Sequence, residues 1–345
     1  MKNYTAIDLF CGAGGLTCGL EQAGFRVLAG VELLEIAAET YQSNHKKTLL
    51  LQDDICNLSP AEVMTALGLS PGDLSLLAGC PPCQGFSTLR TRNKQSSVDD
   101  QRNDLIFEFL RWVKAFVPKC IMLENVPALA KDTRMRTAMS QLKELGYHVD
   151  ESCLRIEDIA NYGVPQRRKR MILMASLYGK IEQPKATSLK TTVKDTIVNL
   201  PKAGESGDPL HDLPEIRSEK INKLISLIPK NGGSRSDLPI EHWLECHKRY
   251  PKGFRDVYGR MHWDDVSPTI TGGCHNPSKG RFLHPEENRA ITLREAALLQ
   301  TFPKDYFFSL RRGKDSVALM IGNALPPEFI RQQGIAISKH LNSVD

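Results

Sequence analysis

From residue 5 to about residue 177 the sequence alternates short apolar runs with amphipathic segments of helical length. Strands that alternate with helices in this way are typical of a parallel, doubly wound sheet. The apolar runs are nearly continuous, as they are in strands that helices cover on both faces. We therefore predict an α/β fold with strands at Thr5–Leu9, Arg26–Val31, Leu49–Leu51, Leu74–Ala78, Cys120–Glu124, His148–Leu154 and Met171–Ser176. The predicted helices between them are Leu16–Ala23, Leu34–Ser43, Leu105–Phe116 and Met135–Leu145.

The remainder of the chain has a different character, because after Gly179 the periodicity weakens and Pro, Gly, Ser, Lys and His become frequent. A length of 345 residues suits two domains of roughly 150 residues each. We predict a catalytic and cofactor-binding domain over 1–180, a smaller irregular domain over 181–300, and a C-terminal segment, 301–345, that returns to the first domain. A capping box that starts at Thr292 and the prolines at 326 and 327 predict two late helices.

The composition is that of an ordinary soluble globular protein, with 41% hydrophobic and 25% charged residues. The apolar segment near the N-terminus is too short for a signal peptide, and no run reaches the ~20 residues of a membrane span. We therefore expect a cytoplasmic protein. A net charge of +5 permits a polyanionic partner without requiring one. The nine cysteines form no framework, so we expect reduced thiols.

A candidate nucleophile follows the fourth predicted strand, in the segment Gly79–Ser87. Cys83 lies after the carboxyl end of that strand, where α/β folds bind their ligands, and the prolines before it restrict its backbone. A nearby cation or helix N-terminus would have to favour the thiolate, because a free thiol has a pKa of about 8.5. Cys80 is interpreted as a buried structural cysteine.

The pair Cys80 and Cys83 also has the spacing of a metal or redox motif. A structural zinc site needs a second ligand pair, and a zinc deaminase needs His-x-Glu ahead of the cysteines; the sequence has neither. We therefore predict no metal site. A thioredoxin-like redox pair stays open, although such a pair normally begins a helix near the start of a small domain.

The first three predicted strands end in groups that suit a nucleoside cofactor. The turn Phe10–Gly15 is rich in glycine, which lets the backbone approach a ligand at a helix N-terminus. Thr17 stands where the dinucleotide fingerprint has its third glycine, which argues against a nicotinamide site. Glu32 could accept hydrogen bonds from ribose hydroxyls, and Asp54 could meet an adenine amine. Each feature alone fits an unliganded turn or a helix-start acid equally well, but together they predict an adenosine-containing cofactor.

Two further blocks could serve the same site. Glu124 ends the fifth predicted strand, which neighbours the fourth in a doubly wound sheet, so its carboxyl group is a candidate general acid beside Cys83. Gln166, Arg168 and Arg170 alternate in the extended segment just before the last predicted strand and would share one face. The alternative for this basic run is a solvated edge.

A polar loop follows the candidate nucleophile, between Thr88 and Arg102, and contains Arg90 and Arg92. Loops of this length are usually functional or disordered. Because the loop comes directly after the nucleophile, we interpret it as a basic lid over a phosphate-bearing substrate.

Taken in order, these blocks resemble those of the bacterial cytosine-5 DNA methyltransferases. The similarity covers nearly the whole chain outside residues 180–285. The matching blocks are the cofactor loop Asp8–Gly15, the catalytic Pro82-Cys83-Gln84, Glu124-Asn125-Val126, the Gln-x-Arg-x-Arg block Gln166–Arg170, the scaffold block Arg289–Pro303 and the closing Gly322-Asn323-Ala324.

The resemblance implies the S-adenosylmethionine-dependent methyltransferase fold and transfer of a methyl group to carbon 5 of a flipped-out cytosine. In that role Cys83 attacks carbon 6, and Glu124 binds ring nitrogen 3 and the exocyclic amine. Arg170, supported by Arg168, contacts the carbonyl oxygen. The implied S-adenosylmethionine contacts are Phe10, Gly12, Gly14, Gly15, Leu16, Glu32, Leu33, Asp54, Ile55, Pro82, Leu105, Asn323 and Ala324. Leu33 departs from the aromatic residue often found there in the family, so adenine would be held by aliphatic contact.

The resemblance further implies that residues 181–300 form a target-recognition domain on double-stranded DNA. The expected DNA contacts are Ser87, Arg90, Arg92, Gln166, Arg235, Arg260, Thr269, Thr271, Gly272 and Gly273. We expect a monomer associated with the bacterial nucleoid, with a cognate restriction endonuclease encoded nearby as a functional partner for which no direct contact is implied.

Two other functions stay open on the sequence. One is an RNA (tRNA) cytosine-5 methyltransferase, which would keep the same fold and cofactor. The other is a catalytically inactive regulator that only binds DNA. The intact Cys83, Glu124 and Arg170 argue against the regulator, because a binding module has no need of a nucleophile.

Overall fold

The computed structural model describes residues 4–82, 104–251, 253 and 255–344. The chain folds into two compact units. The first unit comprises Met1–Tyr162, Lys169–Ala186 and Leu325–Asp345, and the second comprises Gly163–Arg168 and Thr187–Ala324. The division after residue 186 lies near the predicted one at 180, whereas residues 301–324 belong to the second unit and only the last helix returns to the first.

The first unit contains a sheet of seven strands. They are β1 (Thr5–Leu9), β2 (Arg26–Val31), β3 (Leu49–Leu51), β4 (Leu76–Gly79), β5 (Cys120–Asn125), β6 (Leu154–Asp158) and β7 (Lys169–Ser176). Their order is β3-β2-β1-β4-β5-β7-β6, and the pairs among β1 to β5 are parallel. Strand β7 runs antiparallel to both β5 and β6. The prediction of a doubly wound, mostly parallel α/β sheet is confirmed.

Helices connect and cover these strands. The α-helices of the described residues are α1 (Gly15–Gln22), α2 (Glu35–Asn44), α3 (Pro60–Ala66), α4 (Leu105–Phe116), α5 (Thr133–Glu144), α6 (Val193–Ile197), α7 (Pro209–Asp212), α8 (Glu219–Leu227), α9 (Glu245–Arg249), α10 (Leu293–Leu299), α11 (Gly313–Asn323) and α12 (Pro327–Val344). Helices α1 to α5 and α12 belong to the first unit, and α6 to α11 belong to the second. None of the helices described has both the length and the apolar run that a membrane crossing needs.

Strand bounds differ from the predicted ones by a few residues, as at β4 and β7, and two larger local differences involve capping residues. The sixth strand begins at Leu154, and not at His148, because Asp150 caps a short 3₁₀ turn by accepting a hydrogen bond from the Ser152 amide. Such local side-chain bonds compete with strand pairing. Helix α3 was not expected, although Ser59 caps it by accepting from the Glu62 amide and a proline opens it.

The centre of the sheet is closely packed at the carboxyl ends of β1 and β4. Strands β4 and β5 are buried along their whole length. A Cβ atom at Gly79 would lie 3.1 Å from both the Leu9 carbonyl oxygen and the Phe109 ring. Glycine at this position therefore lets β1, β4 and helix α4 meet closely just before the segment that leads to the candidate nucleophile.

Candidate active site

The candidate site lies in the first unit, at the carboxyl edge of its sheet. Strands β2 and β3 lie on one side of β1, and strands β4 and β5 lie on the other side. The direction in which strands are added therefore reverses between β1 and β4. Doubly wound sheets bind their ligands outside the strand ends at such a switch point. The ends of β1, β2, β4 and β5 carry the predicted cofactor and catalytic residues.

The glycine-rich turn after β1 contains backbone conformations that favour glycine. Gly12 and Gly14 have φ values of 55° and 93°, in the left-handed region that glycine adopts without strain. Phe10 also lies there, with φ of 64°, which is uncommon for a residue with a side chain. Helix α1 starts directly after this turn at Gly15, so its first amide groups lie at the sheet edge. The predicted residue Leu16 is buried in the same helix.

Glu32 joins this turn to the next helix. Its Oε2 accepts a hydrogen bond from the Gly12 amide at 2.9 Å, and its Oε1 accepts one from the Leu34 amide at 2.7 Å. Burial raises the pKa of the Glu32 carboxyl group. Each carboxylate oxygen keeps a second lone pair, so the group can still accept hydrogen bonds from hydroxyls. The neighbouring Leu33 is 60% exposed and offers an aliphatic surface beside this acceptor.

Asp8 adds a second buried acid beneath the turn. Its Oδ2 accepts hydrogen bonds from the Thr17 amide at 3.1 Å and the Thr17 hydroxyl at 2.7 Å, whereas Oδ1 has no partner among the described residues. Burial, with the charge of Glu32 as a further contribution, raises the pKa of Asp8 to about 7. Two buried acids around a glycine turn fit a cationic nucleoside such as S-adenosylmethionine, whose sulfonium and amino groups are positive.

The other predicted cofactor residues are distributed over both units. Asp54 is half-buried, and its Oδ1 accepts a hydrogen bond from the Cys56 amide at 2.9 Å. Ile55 is buried in the core of the sheet. Pro82 and Leu105 are half-buried in the first unit. Residues 323 and 324 follow each other at the end of α11 in the second unit. The contact of these residues with the cofactor stays a prediction.

A buried ion pair forms the candidate catalytic centre at the ends of β5 and β7. Glu124 is 1% exposed, and its Oε1 lies 2.8 Å from Nε of Arg170. The same carboxylate receives a hydrogen bond from the Cys80 thiol, with 2.7 Å between Sγ and Oε2. Strands β4 and β5 pair in parallel with Gly79 opposite Leu123. The next residues of the two chain segments, Cys80 and Glu124, therefore lie side by side. Cys80 therefore contacts the candidate general acid.

Asn125, which sequence reasoning did not single out as a site residue, fixes the backbone next to this centre. Its Nδ2 donates to the Pro81 carbonyl oxygen at 2.8 Å, and its Oδ1 accepts from the Val126 amide at 2.8 Å. These bonds tie the end of β5 to the segment that leads to Cys83. The predicted residues Cys83, Ser87, Arg90 and Arg92 lie outside the described residues, so their roles stay predictions.

Gln166 and Arg168 precede β7, as the sequence predicts, and both belong to the second unit. Gln166 is buried, donates from Nε2 to Gln300 Oε1 at 2.8 Å and accepts from the Ile270 amide at 2.8 Å. The prediction that Gln166 contacts DNA is therefore wrong, because its amide group holds protein partners in the interior. Arg168 donates to the carbonyl oxygens of Ile270 and Gly322 at 3.0 and 2.9 Å, which gives it a structural role; its part in catalysis stays a prediction.

These bonds hold a segment that we call the TITGG loop, residues 269–273. Thr269 and Thr271 are exposed on it, and the Thr269 hydroxyl donates to the Arg167 carbonyl oxygen at 2.7 Å. A Cβ atom at Gly322 would lie 2.3 Å from the Gly272 amide nitrogen, so only glycine allows α11 to pack this closely on the loop. The threonines of the loop are exposed and its glycines are half-buried, and contact of these residues with DNA stays a prediction.

The structure corrects the other two DNA contacts predicted in the second unit. Arg260 is 0% exposed, and its guanidinium group donates to four backbone carbonyl oxygens and to the Asn288 side chain. Arg235 is 1% exposed, donates to the Gly253 carbonyl oxygen and lies 5.1 Å above the Trp243 ring. Both arginines bond in the interior of the unit and have almost no exposed surface with which to contact DNA.

One group of possible metal ligands occurs among the residues described, in the first unit. His148, Asp150 and Cys153 place ligand atoms within 4.8 Å of one another. Asp150 already caps the turn before β6, and its Oδ2 lies 3.4 Å from Nε2 of His148. Asp150 and Cys153 therefore already have hydrogen-bond partners within the protein.

The family of the chain follows from comparison with known proteins. The model of the C-5 cytosine-specific DNA methylase family matches residues 4–339. The chain belongs to this family. Its enzyme class is accordingly that of the DNA (cytosine-5) methyltransferases, and the resemblance read from the sequence blocks is confirmed. The tRNA alternative is not favoured by this match.

Bacterial relatives support the same assignment. The chain is 36% identical to the Type II methylase M.HgiDII of Herpetosiphon aurantiacus, over 98% of this chain and 96% of the relative. It is 35% identical to the Type II methyltransferase M1.HphI of Haemophilus parahaemolyticus, over 98% of this chain and 87% of the relative. Methylation within restriction–modification systems is the context that these names share.

Solved structures share the fold. A chain described as a DNA modification methyltransferase encoded within an E. coli prophage has a TM-score of 0.70 at 25% identity, with coverage of 99% of this chain and 100% of that one. The methyltransferase EhMeth of Entamoeba histolytica has a TM-score of 0.65 at 18% identity, with coverage of 99% of each chain. The second likeness concerns the fold alone.

Proposed function

We propose that the protein transfers a methyl group from S-adenosylmethionine to carbon 5 of a flipped-out cytosine in a specific double-stranded DNA sequence, through a covalent adduct with Cys83. The observation that carries this proposal is the buried pair of Glu124 and Arg170 at the sheet edge. Glu124 lies at the end of β5, the strand that pairs with β4, and Cys83 follows the last residue of β4 by four positions.

The reaction needs a nucleophile, because carbon 5 of cytosine is unreactive by itself. The Cys83 thiolate forms a bond to carbon 6, and the displaced electron pair moves into the ring toward carbon 5 and nitrogen 3. Glu124 stabilises the change in charge by hydrogen bonds at nitrogen 3 and the exocyclic amine, and Arg170 does so at the carbonyl oxygen. After methylation, loss of the carbon 5 proton and departure of the thiolate restore the aromatic ring.

The cofactor supplies the methyl group as an activated sulfonium. Glu32 would accept from the ribose hydroxyls, Leu33 would contact the adenine, and the amides of the turn Phe10–Gly15 would approach the rest of the molecule. The buried acids Asp8 and Glu32 favour a positively charged ligand.

Replacement of Glu32 by alanine is expected to raise the Kd for S-adenosylmethionine about ten- to one-hundred-fold, because two hydrogen bonds to a charged acceptor are lost. Isothermal titration calorimetry of the DNA-free protein measures this effect. The matched control is Glu62→Ala, which removes an exposed acid on α3. An unchanged Kd in the Glu32 variant would remove this residue from the cofactor site.

The DNA substrate is inferred to enter the same site by base flipping, because the target carbon cannot be reached inside a duplex and flipping costs a few kcal/mol. Basic residues of the segment after Cys83 would recover part of that cost through phosphate contacts. The TITGG loop is the proposed sequence-reading element of the second unit. We also propose a cognate endonuclease encoded nearby, which the names of the Type II relatives suggest. A protein that acts on DNA would work at the nucleoid of the bacterial cytoplasm, and we propose that it does so as a monomer.

The covalent step gives the decisive test. Sequencing of methylated cytosines in DNA from cells that express the protein first identifies its target site. A duplex with 5-fluorocytosine at that site is then incubated with the protein and S-adenosylmethionine. Because fluorine cannot leave as a proton does, the wild-type protein is expected to become trapped as an adduct that survives denaturing electrophoresis.

Variants assign the adduct to its residue. Cys83→Ala is expected to abolish both adduct and methyl transfer while cofactor binding survives, whereas Cys153→Ala, a buried cysteine near the sheet edge, retains both. Transfer RNA added as a competing methyl acceptor should accept no methyl groups. Methylation of DNA by Cys83→Ala, or preferential methylation of the RNA, would overturn the proposal.

A further inference from the structure

We infer that Cys80 is a positioning residue that holds the Glu124 carboxylate for catalysis, an inference that rests on the proposed function. The Cys80 thiol donates to Oε2 of Glu124 across 2.7 Å. The opposite oxygen, Oε1, lies 2.8 Å from Nε of Arg170. The two contacts hold the carboxylate from both sides, and together they fix its plane and rotamer.

Cys80 acts in this contact as a hydrogen-bond donor. Burial and the charge of Glu124 both raise the pKa of the Cys80 thiol well above its usual value. The group therefore stays protonated at neutral pH and cannot serve as a thiolate nucleophile. This separates the two cysteines of the Cys-x-x-Cys pair, with Cys80 as a donor to Glu124 and Cys83 as the nucleophile.

The backbone around the contact keeps the thiol in place. Cys80 follows β4 directly, and its amide donates to the Leu9 carbonyl oxygen at 3.2 Å. The next residue, Pro81, is held through its carbonyl oxygen by Asn125 at 2.8 Å. The thiol and the carboxylate therefore extend from adjacent strands that are bonded on both sides of the contact.

The contact has a chemical consequence for the reaction. Glu124 must exchange hydrogen bonds with the cytosine ring as charge develops at nitrogen 3. A donor to the carboxylate form favours that form, so the Cys80 thiol lowers the affinity of Glu124 for a proton relative to a site without it. Loss of the thiol should therefore change both the orientation and the protonation of Glu124, with no direct effect on DNA or cofactor binding.

The test compares Cys80→Ala with Cys80→Ser and with the control Cys120→Ala, which removes a buried thiol at the start of β5. Steady-state methylation of the identified duplex gives kcat and the KM for DNA and for S-adenosylmethionine over a range of pH. Near-UV circular dichroism checks that each variant is folded.

Cys80→Ala is expected to lower kcat about ten- to one-hundred-fold, with both KM values unchanged, because a hydrogen bond to a charged group is lost. The limb of the pH profile that belongs to Glu124 should move to higher pH. Cys80→Ser keeps a donor and should restore most of kcat and the original profile, and Cys120→Ala should match the wild type.

Wild-type kcat and an unshifted pH profile in Cys80→Ala would overturn the inference. Equal losses in the alanine and serine variants without a shift of the profile would also overturn it, because they indicate a packing role. Failure of the proposed function itself has a different signature, since the wild-type protein would then neither methylate DNA nor form the 5-fluorocytosine adduct.

Discussion

Glu124→Gln is expected to lower kcat by a factor of about 10²–10⁴, which is the usual contribution of a positioned general acid or base. Glutamine keeps the shape of the side chain but cannot exchange a proton with the cytosine ring. It also leaves Arg170 without the negative partner that lies 2.8 Å away in the wild-type protein. Methyl transfer from labelled S-adenosylmethionine to the target duplex, measured under single-turnover conditions, reports the chemical step directly.

The control for this variant is Glu205→Gln, since Glu205 is an exposed carboxylate that pairs with Lys202 in the second unit. That change should leave the rate within about twofold, because surface-type ion pairs contribute only about 0–1 kcal/mol. Cofactor binding by Glu124→Gln should equal that of the wild type. A Glu124→Gln enzyme with a single-turnover rate close to the wild-type rate would show that the buried pair does not take part in the reaction.

The sequence predicted the parts of the site that depend on backbone topology. The continuous apolar runs gave the parallel strands, and the carboxyl ends of parallel strands meet at one edge. Glu32 and Glu124 were found in this way, and the structure places both at the edge of the first unit. The turn at 12–15 was predicted from its glycine content, and in the structure Gly12 and Gly14 have the positive φ values that glycine adopts without strain.

The parts that the sequence could not predict depend on where single side chains point. Cys80 has the signal of a buried structural cysteine, and only the register of β4 against β5 brings its thiol to Glu124. Gln166 and Arg260 were misassigned because an amide or guanidinium group that bonds to buried backbone looks the same in sequence as one that contacts DNA. Arginine carries five donors, so it can bind several carbonyl oxygens that a folded irregular segment leaves unpaired.

The second large effect is expected on stability, from the loss of the Arg260 hydrogen bonds. Arg260→Met is expected to destabilise the second unit by about 3–5 kcal/mol, because the carbonyl oxygens of Ile225, Ile228, His284 and Glu287 lose a donor in the interior. Methionine fills much of the same volume, so the loss should come from the hydrogen bonds and not from a cavity. Urea unfolding and hydrogen exchange of the amides near Ile225 and His284 measure the effect.

Arg255→Met provides the matched control, because Arg255 is an exposed arginine five residues away in the same unit. Its substitution should change stability by no more than about 0.5 kcal/mol, as is usual for surface positions. Hydrogen exchange in the first unit should be unaffected in both variants, because every bond of Arg260 described above lies within the second unit. The structural role of Arg260 would be refuted by an Arg260→Met protein that unfolds at the wild-type urea concentration but binds its target duplex weakly. That result would show that Arg260 contacts DNA.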